Sequence, residues 1–579
     1  MASTDPIPAR AGFTRRGFLA GAVVSTIALP LINACTPSQP SSGGGGPAPT
    51  AGAQSAAKSL FPTYIASKSG PKPDFHDDNP LFSDAFENYP KNPQKANDTT
   101  PPGSGGTINV LTAAYFPPPT ARDQNSTWQA VEKQLNATMN MNIITGSDYR
   151  LKFPTIMASD DLADIMHIFF GYTLAPNLPD FFKAKCADLT PYLAGDAAKD
   201  YPNLAAIPTP AWKNSISAVN GALYLIPVHR PMFSIPPAAG NFFKNTDLWD
   251  GDLGQGFVPK SADDFKRALQ QVTKPQQNQW GIGSWGVGQQ LFGLGCFLQL
   301  FGAPNNWKTD SSGKLVKDRE TEEYKAAVGF MRDLFTTGVY WPNAIQAQAG
   351  VRDDFAAKRF VVSPEGQGNS YVDFAQRGLK VTPPSKFSML APFPATAGGK
   401  PITYLGTGFV SMNVLKKNSP EKIKEILRIM NWLAAPFGSQ EDLLLTYGIK
   451  DQDYTLDDQG NPKPTPDGTG RAGYVPWRYI AQHPWTYYQA DVPGFAKDSY
   501  DMEHATIPLG IDDPTFGFYS PTAYAKGVQA DNTFWDGVRD IILSRRPMED
   551  YATLVTDWKT SAGDQIRKEY TEAIAASKA

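Results

Sequence analysis

From residue 107 onward, short β-rich runs alternate with stretches of 3.6-residue apolar spacing, and this alternation restricts the body of the chain to an α/β architecture. The run 107–112 (TINVLT) follows a Gly-Gly pair and reads as a strand. Residues 160–170 (DDLADIMHIFF) read as an acidic turn entering an apolar strand, and 221–228 (GALYLIPV) as a strand entered through an Asn-Gly turn. Between such runs lie helices. Ser261 caps 262–272, where Phe265, Leu269 and Val272 share a face and Asp264 stands three residues past the cap. The stretch 320–336 groups Tyr324, Val328, Met331 and Phe335 and stops at Gly338. Pro420 opens 421–434, which gathers Ile423, Ile426, Leu427, Met430 and Leu433, and 558–573 is amphipathic. No repeat of 20–50 residues is present, which excludes solenoids and propellers.

The formal net charge is −3 over 579 residues, without the basic excess of a nucleic-acid binder. With 12 Trp, 23 Tyr and 33 Phe the chain is too aromatic to be disordered, and 50 Gly with 51 Pro predict many loops. Three cysteines exclude a disulfide scaffold and a Cys-rich metal cluster, and leave the pairing of Cys186 with Cys296 open.

Ahead of the body lies an address. Thr14-Arg15-Arg16-Gly17-Phe18-Leu19 resembles the twin-arginine export signal. The apolar run 20–34 is 15 residues long, short of the roughly 20 of a transmembrane helix, and fits a signal-peptide h-region. It ends Leu31-Ile32-Asn33-Ala34-Cys35, which resembles a lipobox, although Asn33 is not the commonest residue at its place. Residues 1–34 therefore read as a removable signal and Cys35 as the lipidated N-terminus of the mature chain, anchored to the outer face of the cell membrane. Residues 35–60 read as a tether, since 36–58 is almost all Ser, Gly, Pro, Ala and Thr and cannot bury enough apolar surface to order itself. The span of such a segment is about 26 Å. Residues 61–106 carry Phe61, Tyr64, Phe75, Phe82, Phe86 and Tyr89 and read as an arm that packs over the body. A twin-arginine substrate is expected to fold before it crosses the membrane.

Catalytic signatures are scarce. Residues 281–286 match G-x-G-x-x-G, but 276–280 (QQNQW) is no buried strand, so a dinucleotide site is not expected. There is no phosphate loop, no G-x-S-x-G elbow and no H-E-x-x-H. His76, His167, His229, His483 and His504 contain no i, i+4 pair. Asp457-Asp458-Gln459-Gly460-Asn461 opens like a calcium loop, yet Pro462 and Lys463 follow and no acid closes the twelfth position, so it reads as a turn. No cofactor is expected, and a structural Ca2+ lacks a clear motif. Nothing singles out the carboxylate pair of a glycosidase.

Several ordered pieces resemble the bacterial extracellular solute-binding proteins of family 1, the carbohydrate-binding lipoproteins of ABC importers. They are 153–165 (FPTIMASDDLADI), 220–227 (NGALYLIP), 246–249 (TDLW) before the helix start at 259–265, and 331–335 (MRDLF) before Gly338. The pieces 444–449 (LLTYGI) and 454–460 (YTLDDQG) resemble the large subgroup that includes the alginate-oligosaccharide binders. The resemblance implies a two-lobed periplasmic-binding-protein-like α/β fold of type II, with lobe 1 near 107–231 and 408–520 and lobe 2 near 232–407 and 521–579. It implies capture of a saccharide, acidic or neutral, in an interlobe cleft and delivery to permease subunits, by a monomer that breaks no bond. A peptide or other polar solute as ligand, and an exported carbohydrate-active enzyme, are the alternatives.

Sugar faces stack on aromatic rings and sugar hydroxyls need planar hydrogen-bonding partners. Open α/β sheets bind at strand carboxyl ends. The candidate contacts are therefore Tyr115 after the first strand, Phe170 and Tyr172 after the second, and Arg230, which can meet a hydroxyl pair or a uronate. Trp285 in the glycine-rich 281–288 segment, Gln367 and Asn369 in a loop, and Trp477, Arg478 and Trp485 in a late aromatic stretch complete the set.

Overall fold

The computed structural model describes residues 60–577 except 68, 98–99, 170–176, 216–217, 220, 233–239, 287, 347–349 and 366–368. The export signal, Cys35, the tether up to residue 59, and the candidates Phe170, Tyr172 and Gln367 lie outside the described residues, as does the side chain of Asn369.

The body is built on two sheets. The strands used below are Asp84–Phe86 (β1), Thr107–Ala114 (β2), Thr138–Thr145 (β3), Ile165–Phe169 (β4), Leu225–His229 (β5), Asn241–Asn245 (β6), Trp280–Ile282 (β7), Phe360–Glu365 (β8), Phe387–Met389 (β9), Phe409–Leu415 (β10) and Thr486–Tyr488 (β11). One sheet has the order β3-β2-β4-β10-β5, the other β9-β6-β8-β7. In the first, β2 pairs in parallel with β3 and β4, while β10 runs antiparallel to β4 and β5. In the second, β8 is parallel to β7 and antiparallel to β6. Every residue of β5 and β8 is buried, the polar His229, Ser363 and Glu365 included.

Local chemistry sets the helices. In Ala262–Val272 (α1) the Ser261 hydroxyl accepts from Asp264 N at 3.1 Å, a cap worth about 1 kcal/mol. Phe265, Leu269 and Val272 are buried on one side of it, as the spacing requires. Glu322–Thr336 (α2) starts two residues later than read, because Thr321 takes the cap and 318–320 tightens into a 3-10 turn. In Pro420–Leu433 (α3), Ser419 accepts from Lys422 N. The last helix read from sequence is interrupted: Tyr551–Trp558 and Asp564–Ala576 are joined by a π-type turn, Lys559–Gly563. The strand read at 221–228 is likewise two pieces, Ala222–Leu223 and β5, separated at Tyr224.

Two hydrophobic cores follow the two sheets. The first contains Ile108, Val110, Ile168, Trp212, Leu225, Val414, Ile426 and Trp477. The second contains Phe242, Phe265, Ile282, Phe297, Phe360, Val362 and Phe374. Tyr487, Phe495, Met502 and Ile507, expected with the first lobe, pack in the second core: Phe495 stacks on Tyr371 at 5.7 Å and Tyr371 Oη donates to Asp498 at 2.8 Å. Cys186 and Cys296 are free thiols in different cores, which answers the open pairing.

The arm is attached throughout. Thr63 N donates to Gly195 O and Ile65 N to Ala205 O, on the first body. β1 then adds in parallel to β11, and Ala85 enters the second core. Tyr89 returns to the first body, its hydroxyl donating to Asp442 at 2.9 Å.

Candidate functional site

Strand directions decide which edges can hold a ligand. β2 and β4 are parallel, and β10 opposes β4 and β5, so the carboxyl ends of β2, β4 and β5 share one edge with the start of β10 at Phe409. The chain leaving that edge carries Tyr115 and Phe116 after β2 and Arg230 after β5. In the second sheet the carboxyl ends of β7 and β8 lead to Trp285 and Glu365, and Asn241 at the start of β6 lies opposite Glu365. Residues 230–240 link the end of β5 directly to the start of β6. A second crossing, 405–408, runs beside it, with Arg230 N donating to Gly408 O at 2.9 Å. A third, 482–486, leads from Ala481 in the first core to Tyr487 in the second. The first crossing thus joins the two carboxyl-end edges, and the other two join the same two bodies.

On the first edge the short helix Trp477–Ile480 buries Trp477, Tyr479 and Ile480 and turns Arg478 to solvent. Tyr479 is the hub. Tyr115 meets it edge-on at 6.1 Å, and Phe116 stacks on it at 6.2 Å and on Tyr474 at 5.7 Å. The Arg478 guanidinium lies 5.5 Å from the rings of both Phe116 and Tyr479. Beside this cluster Arg230 Nη1 donates to His229 O and to Gln482 Oε1, both at 2.7 Å. Its guanidinium carbon sits 4.5 Å from the Trp485 ring. Trp485 N donates to His229 Nδ1 at 2.8 Å. Burial holds His229 down to about 3, so the ring is neutral and its Nδ1 is free to accept. Burial, and then the like charge of Arg478, lowers Arg230 to about 9.

On the second edge Trp285 Nε1 donates to Glu365 Oε1 at 3.1 Å. Glu365 is buried, and Arg352 supplies its counter-charge through Nε at 3.2 Å and Nη2 at 3.4 Å; Arg352 Nη1 also donates to Asp373 at 3.1 Å. A charge-assisted pair therefore fixes the indole plane. The glycines around it serve packing: a Cβ on Gly283 would stand 2.5 Å from the Phe360 ring, and one on Gly286 would stand 2.4 Å from Ala344 O. That closeness accounts for the G-x-G-x-x-G match without a phosphate.

Of the candidates read from sequence, Tyr115, Arg230, Arg478, Trp485 and Trp285 stand at these edges, Tyr115 with 48% of its surface exposed. Trp477, on the edge helix, turns inward: it is 3% exposed, packed edge-on against Trp128 in the first core. Tyr479, Gln482, Glu365 and Arg352 escaped the sequence reading. Glu365 lies two residues before Gln367, but no local pattern marks a carboxylate as the anchor of a distant indole. Asp457 accepts from Gln459 N and Asn461 N in the turn between the hairpin strands Tyr454–Leu456 and Pro462–Pro464. Among the described residues no three His, Cys, Asp or Glu side chains gather as a metal would need.

No family model matches the chain. Lipoprotein LipO of Bacillus subtilis is 23% identical over 497 residues, covering 82% of this chain and 94% of that protein. The Streptococcus pneumoniae ABC-transporter substrate-binding protein FusA, solved in complex with kestose, superposes with a TM-score of 0.55 at 16% identity over 82% of this chain and 99% of its own. An extracellular solute-binding protein of Bifidobacterium longum subsp. infantis gives 0.58 at 12% identity, over 81% and 98%. The chain therefore has the two-lobed fold of the ABC-transporter substrate-binding proteins, the family that its ordered segments resemble.

Proposed function

We propose that the protein captures an oligosaccharide outside the cell membrane, holds it between its lobes and delivers it to the transmembrane subunits of an ABC importer, breaking no bond. The observation that carries this reading is that each sheet bears aromatic groups at its carboxyl-end edge, Tyr115 and Phe116 beside Arg478 on one and Trp285 on the other, with the chain from β5 to β6 joining those edges. Rings there offer faces to sugar C–H groups, while Gln482, Arg478 and Arg230 offer donors to hydroxyls. The substrate-binding fold shared with a kestose-bound protein supports the same reading. The buried Glu365 is committed to Arg352 and Trp285, which supports binding over acid–base chemistry. We place the lobe division inside the third crossing, giving 107–231 with 408–481 and 232–407 with 487–579. The leader motifs support export by the twin-arginine route and a lipid anchor at Cys35.

The test is a thermal-shift screen of the mature chain against saccharides and peptides. A ligand that binds only the folded form raises the midpoint, by about 2.7 kcal/mol of stabilisation at a hundredfold excess over Kd. The expected result is a rise with a saccharide that is recovered unchanged. A rise with peptides alone, or cleavage of the saccharide on prolonged incubation, would sink the proposal.

A further inference from the structure

Resting on that saccharide-binding reading, we propose that the ligand is anionic: the Nε–Nη2 edge of Arg230, beside the indole N–H of Trp485 and with Arg478 as a second cation, receives a carboxylate or sulfate group carried by the saccharide. Arg230 is only 7% exposed, and the protein uses one side of its guanidinium, Nη1, for His229 O and Gln482 Oε1. Among the described residues nothing accepts from Nε or Nη2, and that pair is the fork that matches two oxygens of an oxyanion. The indole that packs against this guanidinium has the same deficit, since Trp485 Nε1 is buried with no acceptor among the described residues.

The charge balance points the same way. Three enclosed guanidiniums elsewhere meet carboxylates: Arg319 meets Asp531 at 2.8 Å, Arg567 meets Glu320 at 2.8 Å and Arg471 meets Asp453 at 2.5 Å. Among the described residues neither Arg230 nor Arg478 forms a salt bridge. The charged neighbour that acts on Arg230 is Arg478, of like sign. The segments outside the described residues between 100 and 577 contain no Asp or Glu that could supply a counter-charge. A buried cation left with a like-charged neighbour is costly, and an anion brought by the ligand relieves both the desolvation and the repulsion. A neutral sugar would relieve neither.

The experiment titrates the mature chain calorimetrically with length-matched neutral, uronate-bearing and sulfate-bearing oligosaccharides. One anionic class is expected to bind at least about tenfold more tightly than its neutral counterpart, the difference shrinking as salt is added. Arg478→Gln, at an exposed position, is expected to weaken both kinds of binding but anionic binding more, narrowing the anionic-to-neutral ratio about threefold to tenfold. Arg230→Lys keeps a charge but loses the fork, and is expected to erase the preference. Equal binding of neutral and anionic sugars overturns this inference and leaves the saccharide reading standing. Failure of every saccharide class overturns that reading and the inference with it. The carboxylate and sulfate arms identify which oxyanion the fork accepts.

Discussion

Trp285, in a glycine-rich segment, and Trp477, in a late aromatic stretch, were both candidates in the sequence, and packing separates them. Trp477 stands edge-on to Trp128 inside the first core, where the indole contributes burial. Trp285 is only partly buried, and its single polar atom is tied to Glu365, so its ring plane is set before any ligand arrives. Replacing Trp285 with Ala is expected to weaken saccharide binding about fivefold to thirtyfold, the stacking worth of one ring, with little change in the unliganded melting midpoint. Phe at the same position should recover about half of the lost free energy, because it keeps the face and loses the tie to Glu365. Equal affinities for the three forms would show that the ring is not a contact. Arg230 was legible as the residue leaving a strand towards the crossing. Its unpaired fork was not, because that fact depends on Gln482 and Trp485, about 250 positions away in the sequence.

Among elements, those whose signals are local came through the sequence best. α1 was read to the residue, because Ser261, Asp264 and the Phe265–Leu269–Val272 face are all contained within the helix. The π-type turn Lys559–Gly563 was invisible: a single extra residue per turn leaves the apolar spacing almost intact. Likewise β1 has no strand signature of its own and exists because β11 offers it an edge. Its anchor is Glu503, which is fully buried and accepts from Ser83 N at 2.6 Å, Ser83 Oγ at 3.0 Å and Tyr487 Oη at 2.9 Å. Burial raises this carboxyl to about 7 in spite of those donors. Its folded value thus lies above the ordinary 4.5, so its contribution to folding stability is fully present below pH 4.5 and is lost as pH rises through 7. The loss runs at about 1.4 kcal/mol per pH unit across that window. Hydrogen exchange at Ala85 and Phe86, corrected for intrinsic rate, is expected to show weaker protection at pH 8.5 than at pH 5. Glu503→Gln should flatten that dependence, and an unchanged slope in the variant would remove Glu503 as its source.

For the molecule as a whole, the arm changes what the three crossings alone would permit. Closure of two lobes is in general a rotation absorbed by a few residues between them, and 405–408 and 482–486 are such crossings here. The arm is seated on both bodies: Thr63 and Ile65 bond to the first, Phe75 meets Tyr500 at 5.6 Å and Phe82 stacks on His504 at 4.0 Å on the second, and Tyr89 returns to Asp442. It lies along β11, which directly follows the third crossing. A strap so placed limits how far the lobes can separate without touching the cleft edges. Removing residues 60–81 cuts its first span while leaving β1 and Ala85 in place. The truncated chain is expected to show a larger radius of gyration than the intact one when unliganded, and the same radius when saturated, by small-angle scattering. Because the closing-competent fraction falls, apparent affinity should drop about twofold to tenfold, in the same ratio for every saccharide that binds. A loss that differed between saccharides would mean that the arm contacts the ligand, and an unchanged unliganded radius would mean that the crossings alone set the opening.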